Sequence, residues 1–406
     1  MNPIKLGLVV DQDVNVGGGY QQSLNAILLA RRLPLELADV ICFCTTKASV
    51  ASLKKQGINA EHLRITVLDL ISMRLRRLVS EPRISRMVNK IFGDNVLDKK
   101  FSRLGVDLVY FLSPSGLAID LEKTNYITTV WDICHRDHPE FPEVRWNREF
   151  ERRERNYHRI LPRAVGIIVD SQFSLNVLVK RYSIDQDRIQ VIPFEPGSVS
   201  RISSDYHPAA ANDINSKFNL HVPYVFYPAQ FWAHKNHVYL LQGLKELENV
   251  YGEKIGAIFC GSDRGNLEFV VQHANNLGIA DRVRFLGFLD DSFVKACYGD
   301  ALALVMPTYF GPTNIPPLEA FGFRIPVLYP NLPGLREQVG DGALLIDLAD
   351  PRSMADAVFK VMTCEKTRKQ LIKRGGEILE EGQRFDRLGV LCDIVKKFRG
   401  KRACWR

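Results

Sequence analysis

The chain of 406 residues predicts an α/β protein with two doubly wound parallel-sheet (Rossmann-like) domains. Short and continuously apolar runs alternate with helical patterns almost throughout, which is typical of parallel strands covered on both faces. The alternation breaks once, at residues 194–218, where Ser, Pro, Ala and Asn replace large apolar residues. The length is sufficient for two cores of ordinary size.

The predicted strands fall on both sides of this break. Those before it are 4–10, 40–44, 107–112, 126–131, 166–169 and 189–192, and those after it are 224–227, 255–260, 283–286, 303–306, 326–329 and 343–346. The predicted organisation is a first domain at 1–195, a linker at 196–218, a second domain at 219–385 and a C-terminal helix at 386–406. In such sheets, ligands bind beyond the carboxyl ends of the strands.

Composition narrows the class of partner. Hydrophobic residues at 46% and charged residues at 25% are ordinary globular values. The net charge of +8 favours anionic partners such as phosphorylated ligands, an anionic membrane surface or nucleic acid. The sequence carries no RNA-binding or helix-turn-helix signature, so a nucleic-acid partner is not predicted.

Cysteine usage and hydropathy indicate the compartment. The eight cysteines show no metal-ligand spacing, and Cys42 and Cys44 alternate within an apolar run as buried thiols do. This pattern favours a reducing, cytoplasmic setting. The apolar run at 4–10 is too short for a signal peptide, and no run approaches the roughly 20 residues that span a bilayer. We expect a soluble or peripherally bound protein.

The most informative segment is 305–351, where a buried strand, a Gly/Pro turn and a helix opening near Pro316 follow one another. Backbone amides at a helix N-terminus bind phosphate groups. Glu319 lies one turn inside the helix, where its carboxylate can accept hydrogen bonds from a sugar hydroxyl. This combination suits a nucleotide diphosphate, whereas the alternative is an ordinary strand–turn–helix of an α/β domain.

The segment from Gly311 to Ala320 resembles the donor-binding segment of family-4 glycosyltransferases of the GT-B fold, whose pattern is Glu-x7-Glu. Glu319 matches the second Glu, which the family uses on the nucleotide ribose. Gly311 occupies the position of the first Glu, which in the family contacts the transferred sugar. The resemblance implies a donor site at the turn, including Gly311, Thr313, Asn314 and Ile315. The missing Glu implies either a deoxy or otherwise apolar sugar, or substitution by a residue such as Asn314.

The segment 228–237, PAQFWAHKNH, follows the first strand of the second domain. Lys235 is the predicted diphosphate cation, comparable to the family's lysine, and Gln230 stands where the family usually has an arginine. A charge-assisted contact of this kind contributes about 1.5–3 kcal/mol. The alternative is a solvated lysine, but its placement after a strand and beside a helix start favours function.

The segment 128–145, TTVWDICHRDHPEFPEVR, places polar, aromatic and charged residues at a strand end. It resembles the family's V-H-D-x6-P segment, with Trp131 in place of the His and Asp132 matching the Asp. We expect Trp131, Asp132, His135 and Arg136 on the acceptor side, with Asp132 and His135 as catalytic candidates. The spacing of His135, Asp137 and His138 matches no strong metal signature, so no metal is predicted.

Gly17, Gly18 and Gly19 follow the first strand and precede a helical pattern. A dehydrogenase fingerprint would require a third glycine where Gln22 stands and an acidic residue after the second strand, and both are missing. The triplet resembles the family's first-domain glycine loop, which implies proximity to donor phosphates and acceptor. The alternative is a flexible loop. The D-x-D spelling at 11–13 is interpreted as a loop feature.

Residues 71–92 carry six Arg or Lys against one Glu, interleaved with apolar residues. Such a segment can lie on an anionic membrane, at about 1 kcal/mol per basic residue near the surface. The alternative, a solvated helical face packed on the domain, is equally consistent with the pattern.

Together, the resemblance implies two lobes facing across a cleft, an acceptor-side first domain, a donor-binding second domain and a C-terminal helix returning to the first. The expected function is a retaining, metal-independent glycosyltransferase that needs no cofactor. It would use a nucleotide-sugar and a glycan or lipid-linked acceptor in lipopolysaccharide O-antigen synthesis at the cytoplasmic membrane face. The alternatives are a sugar-nucleotide epimerase of the same build or a non-catalytic nucleotide-binding partner.

Overall fold

The computed structural model describes residues 2–11, 18–78, 93–197 and 218–405. The chain forms two compact units. The first contains Met1–Trp131, Glu151–Pro193 and Asp386–Arg406, and the second contains Asp132–Phe150 and Phe194–Phe385.

The first unit is built on a seven-stranded sheet with the order β3-β2-β1-β4-β5-β6-β7, in which all neighbours pair in parallel. The strands are β1 (Ile4–Val10), β2 (Ala38–Cys44), β3 (Ala60–His62), β4 (Leu108–Phe111), β5 (Asn125–Val130), β6 (Gly166–Val169) and β7 (Ile189–Val191). The six strands predicted for this half are present within two residues of their expected ends. The edge strand β3 was not predicted, because three residues that are mostly exposed give no apolar run.

The second unit contains a six-stranded parallel sheet with the order β10-β9-β8-β11-β12-β13. Its strands are β8 (Tyr224–Pro228), β9 (Gly256–Cys260), β10 (Val283–Phe285), β11 (Ala303–Val305), β12 (Val327–Pro330) and β13 (Ala343–Ile346). They are almost entirely buried, which explains their continuous apolar runs. The predicted α/β class with two parallel sheets is confirmed.

Helices flank both sheets. In chain order they are α1 (Gly18–Ala30), α2 (Lys47–Lys55), α3 (Val67–Leu78), α4 (Val96–Arg103), α5 (Pro142–Arg145), α6 (Glu149–Ile160), α7 (Gln172–Tyr182), α8 (His237–Tyr251), α9 (Leu267–Asn276), α10 (Asp291–Gly299), α11 (Ile315–Gly322), α12 (Pro333–Val339), α13 (Pro351–Thr363), α14 (Glu365–Arg384) and α15 (Arg387–Arg402). Within the described residues, none of them has the length and apolarity needed to cross a bilayer.

The C-terminal helix α15 belongs to the first unit. Leu391, Val395 and Phe398 recur at helical spacing and join the apolar core formed by β1 and α1. The Arg399 side chain donates a hydrogen bond of 2.7 Å to the Glu36 carbonyl oxygen. The chain therefore crosses from the second unit and ends in the first.

Residues 132–150 group with the second unit, whereas the sequence assigned them to the first domain. The reason is apolar packing: Cys134 and Val144 are buried in one cluster with Phe310, and Phe141 packs against it. The predicted linker at 196–218 lies mostly outside the described residues.

Candidate functional site

Two loops of the second unit lie side by side at the carboxyl edge of its sheet. They follow β8 and β9, which are neighbours, and β11 lies on the other side of β8. Phe231 forms an isolated parallel bridge with Asp263, which ties the two loops together. The sheet order reverses at β8, and such a reversal is where open α/β sheets bind ligands.

The loop after β8 ends in a tight helical turn, Ala233–Lys235, followed by α8. The backbone of this turn is held from two sides. The Tyr227 hydroxyl donates to the Lys235 carbonyl oxygen at 2.9 Å, and the Tyr309 amide donates to the His234 carbonyl oxygen at 3.0 Å. The Lys235 ammonium donates to Asn314 Oδ1 at 3.3 Å, which connects this loop with the turn after β11.

Burial lowers the pKa of Lys235 to about 8. The nearby charges of Cys134, Asp132 and Glu143 act in the opposite direction and favour the ammonium form. The structure therefore brings Asp132 into the electrostatic surroundings of Lys235, although the two are far apart in sequence. A partly desolvated cation of this kind interacts strongly with an anionic ligand.

Glu143 on α5 holds the same turn. Its Oε1 accepts a hydrogen bond of 2.9 Å from the His234 amide and a second, short one from His234 Nδ1. The Phe310 ring stacks on the His234 ring with centroids 4.2 Å apart. Burial lowers the pKa of His234 to about 4, so the imidazole is neutral at physiological pH. Burial alone would raise the pKa of Glu143, but the hydrogen bonds from His234 lower it.

The predicted acceptor-side residues fall on both sides of the boundary between the two units. Trp131 is half-buried after the end of β5 in the first unit, whereas Asp132, His135 and Arg136 belong to the second. Asp132 Oδ1 accepts hydrogen bonds from the Cys134 amide at 3.2 Å and from its thiol at 2.7 Å. His135 is fully buried, with its ring 5.5 Å from that of Phe150 in an edge contact. Arg136 is partly exposed.

The turn after β11 was predicted to bind phosphate groups through its backbone amides, but one of these amides is bonded within the protein. Gly311 has φ +87°, a conformation that a residue with a Cβ adopts only with strain. The backbone N–H of Asn314 donates to Gln338 Oε1 at 2.9 Å, and Gln338 Nε2 donates back to the backbone carbonyl oxygen of Asn314. The Asn314 amide is thus occupied within the protein. The amide of Ile315 has no such partner in the described part of the chain. Thr313 is half-buried in the same turn.

Glu319 lies on α11 and is only 8% exposed. Its Oε2 accepts a hydrogen bond of 2.9 Å from the Tyr298 hydroxyl. Burial raises the pKa of Glu319 to about 7, while the bond from Tyr298 opposes that rise. The carboxylate therefore titrates near neutral pH.

Sequence reasoning missed the loop after β9. A Cβ at Gly261 would lie 2.3 Å from the Ala229 carbonyl oxygen, so this glycine permits close packing of the two loops. Arg264 lies over the Trp232 ring at 5.6 Å from its centroid, and Trp232 Nε1 donates to Gln230 Oε1 at 3.0 Å. The sequence does carry a signal for this loop, because the glycine-rich and charged segment GSDRGN directly follows the buried strand β9.

Part of the predicted glycine loop lies outside the described residues. Gly17 is in that part, while Gly18 and Gly19 form the first turn of α1 in the first unit. Asp11 precedes the gap and accepts a hydrogen bond of 2.6 Å from the Ser115 hydroxyl. Within the described ranges, no group of three or more His, Cys, Asp or Glu side chains is placed to hold a metal ion.

The chain is similar in sequence to known glycosyltransferases. Residues 211–377 match the family described as glycosyl transferases group 1. The chain is 26% identical over 258 residues to O-antigen chain mannosyltransferase B of Escherichia coli, covering 61% of this chain and 64% of that protein. It is 26% identical over 234 residues to D-inositol 3-phosphate glycosyltransferase of Corynebacterium diphtheriae, covering 55% and 54%. The chain thus spans between about half and two thirds of these relatives' length.

The fold also matches solved structures. The crystal structure of Anabaena HepE in complex with UDP-glucose superposes with a TM-score of 0.69 at 16% identity, covering 98% of this chain and 100% of that chain. At this identity, the likeness shows a shared fold.

Proposed function

We propose that this chain, which has the GT-B fold and whose residues 211–377 match the group 1 glycosyl transferases, is a retaining, metal-independent glycosyltransferase. Its donor is a nucleotide-sugar, and its acceptor is a glycan or a lipid-linked glycan. The observation that carries the proposal is the contact of 3.3 Å between Lys235 Nζ and Asn314 Oδ1. This contact joins the loop after β8 to the turn after β11, so a partly desolvated cation lies beside the N-terminus of α11.

In the proposed reaction, Lys235 stabilises the diphosphate as the glycosyl bond breaks. A charge that develops beside a fixed, partly desolvated cation is stabilised far more than in water. The Ile315 amide at the start of α11 adds a second donor for the same phosphates. No side chain is assigned as a covalent nucleophile. In a front-face displacement, the leaving phosphate accepts the proton of the acceptor hydroxyl, and the new bond forms on the side that the diphosphate leaves.

The position of Glu319 supports a role in binding the nucleotide. Its carboxylate is oriented by Tyr298 through one oxygen, which leaves the other to accept from a ribose hydroxyl. The UDP-glucose bound to the structurally similar HepE protein supports a nucleotide-sugar as donor.

The turn at Gly311 supports a donor sugar that requires few hydrogen bonds there. Asn314 cannot readily substitute for a missing acidic side chain, because Oδ1 accepts from Lys235 and Nδ2 donates to the Tyr329 hydroxyl at 2.6 Å. Phe310 adds an aromatic ring beside the same turn. We therefore assign a deoxy or otherwise apolar sugar position to the space that faces Gly311.

The named relatives support a setting in cell-surface polysaccharide synthesis, since one of them is an O-antigen chain mannosyltransferase. The acceptor would then be lipid-linked, and the enzyme would work at the cytoplasmic face of the membrane as a peripheral protein.

A thermal-shift screen with UDP, GDP, dTDP and their sugars tests donor binding. A ligand at 100 times its Kd stabilises a protein by about 2.7 kcal/mol, which raises the Tm measurably. Lys235→Ala and Glu319→Ala should abolish the shift. If no nucleotide raises the Tm of the wild type, the donor proposal is wrong.

Product analysis then separates the alternatives. Mass spectrometry should detect a glycosylated acceptor, and the configuration at the anomeric carbon should be retained. Isomerisation of the donor without transfer would instead identify an epimerase. Binding without turnover would identify a nucleotide-binding partner. Comparing GDP-mannose with its 6-deoxy analogue tests the sugar assignment directly.

A further inference from the structure

Helix α3 in the first unit turns apolar side chains toward solvent. Its exposed apolar residues, with between 43% and 77% of their surface accessible, are Val67, Leu68, Leu70, Ile71 and Leu75. These positions recur at helical spacing and form one continuous stripe, which we name the α3 outer face. Large apolar side chains clustered in this way mark an interaction site.

The opposite side of α3, which faces the protein, buries Met73 and otherwise makes polar contacts. Asp69 and Thr66 cap the helix start by accepting from each other's amides, at 2.8 and 3.2 Å. Arg77 pairs with the buried carboxylate of Asp120, to which its Nε donates at 2.8 Å. Arg76 donates to the Gly93 carbonyl oxygen at 2.8 Å. Among its described side chains, the helix thus buries one large apolar residue and exposes five, whereas an ordinary surface helix buries most of its apolar side.

Basic residues accompany the apolar stripe. Arg74 is exposed between Ile71 and Leu75, and Arg64 is exposed just before the helix. Neither guanidinium forms an ion pair in the described part of the chain. Arg74, an exposed cation beside an apolar stripe, complements an anionic lipid surface. At a membrane surface, the same side chain reaches lipid phosphates while its methylenes stay in the apolar layer.

We propose that the α3 outer face docks on an anionic membrane, with its leucine and isoleucine side chains in the boundary between headgroups and acyl chains. An amphipathic helix binds membranes in this manner through apolar area and attraction to anionic lipids. The inference extends the proposed function, because it places the enzyme where a lipid-linked acceptor would lie. The contact differs from the sequence prediction at 71–92, since it begins at Val67 and its apolar residues lie at 67–75. Residues 79–92 are outside the described part.

Cosedimentation of the full-length protein with vesicles tests the proposal. Two vesicle types are used, one of phosphatidylcholine alone and one with roughly a third of phosphatidylglycerol. The wild type should bind the anionic vesicles more tightly. The variant Leu68→Ser/Ile71→Ser/Leu75→Ser should lose at least about tenfold in binding to them. Arg74→Glu should remove much of the preference for anionic over neutral vesicles.

A matched control removes exposed apolar residues elsewhere. Leu35→Ser/Phe269→Ser changes side chains that are 83% and 59% exposed, and vesicle binding should stay as in the wild type. Because the replaced α3 side chains are also exposed, the triple variant should keep its Tm and its nucleotide-induced Tm shift, which separates membrane docking from donor binding.

Three results would overturn the proposal. The first is that the wild type fails to bind vesicles, and the second is that the triple variant binds as well as the wild type. The third is that the control variant loses as much binding as the triple variant. Sedimentation velocity provides a further check. If the triple variant converts a dimer to a monomer while vesicle binding is unchanged, a second copy of the chain covers this face instead.

Discussion

The loops after β8 and β11 lie in the same sheet and both were expected to hold a diphosphate, yet they use their polar groups differently. In the loop after β8, the scaffold binds the backbone of His234 and Lys235, and the Lys235 ammonium donates to Asn314 Oδ1. In the turn after β11, Gln338 binds both backbone polar groups of Asn314, and Tyr329 binds its side chain. The first loop therefore supplies charge, whereas the second supplies a fixed shape.

This difference predicts unequal roles in donor binding. A cation on a rigid turn contributes through its field, and removing it removes the interaction. A turn with bonded polar groups contributes by excluding water and positioning the start of α11, so single substitutions there should affect stability more than affinity. Experiments that change one loop at a time can break or sharpen this comparison.

The largest effect should come from Lys235→Ala. Losing one preorganised donor to the leaving diphosphate costs about 2.7–4 kcal/mol in the transition state, so kcat should fall on the order of 10²–10³-fold. Steady-state kinetics with the donor identified by the thermal-shift screen measures this. The Tm should not decrease, because the ammonium is desolvated in the folded protein. A loss of less than about threefold would mean that Lys235 does not contact the diphosphate.

Glu319→Gln should produce the next largest effect. The amide keeps the shape and the bond with Tyr298 but removes the charge that strengthens a hydrogen bond from ribose. A bond to a charged group contributes about 1.5–3 kcal/mol, against about 0.5–1.5 kcal/mol for a neutral one. Isothermal titration calorimetry with the nucleotide diphosphate measures the change in Kd. Tyr298→Phe separates the charge from its orientation, because it keeps the carboxylate but removes the hydrogen bond that orients it. Equal affinity of wild type and Glu319→Gln at pH 8 would exclude the ribose contact.

Glu143→Ala should lower kcat/KM about tenfold, since His234 loses the acceptor that fixes the turn beneath Lys235. Glu143→Gln should recover part of that loss by accepting from the His234 amide. Both variants remove a negative charge that favours the Lys235 ammonium, so the pKa of Lys235 should fall further below 8. A purely structural role for Glu143 would leave the alkaline limb of the pH profile unchanged in Glu143→Gln.

The strands and the supporting contacts of the site differ in how far the sequence predicts them. Continuous apolar runs located all the strands of both sheets except the short β3, because burial on both faces leaves a local signal. Lys235 and Glu319 could be put forward as candidates from the sequence because strand ends and helix starts are also local features. Glu143 and Gln338 were not predicted. Glu143 accepts from His234 across 91 residues of sequence and Gln338 accepts from Asn314 across 24, and only tertiary packing decides such contacts.

Donor binding should depend on pH through the ionisation of both Glu319 and Lys235. The pKa of Glu319 is about 7 and that of Lys235 is about 8, so affinity should be highest between these values. Below this range, protonation removes the carboxylate. Above it, deprotonation removes the cation, and a pH rise from about 7.5 to about 8.5 should weaken binding about threefold. Lys235→Arg should abolish the alkaline limb, and Glu319→Gln should abolish the acid limb. A flat profile in the wild type would exclude both groups.

The smallest change in affinity should come from Gln338→Ala, which tests the second loop. The variant leaves the Asn314 amide without its acceptor and should cost about 1–3 kcal/mol of stability, read as a lower Tm. Donor affinity should change by less than about threefold, because Lys235 and its supporting turn are intact. Gln338→Glu is the matched control, since its carboxylate can still accept from the amide. If Gln338→Ala instead weakens donor binding as much as Lys235→Ala does, the turn after β11 contributes as much to diphosphate binding as Lys235, and the division between charge and shape is wrong.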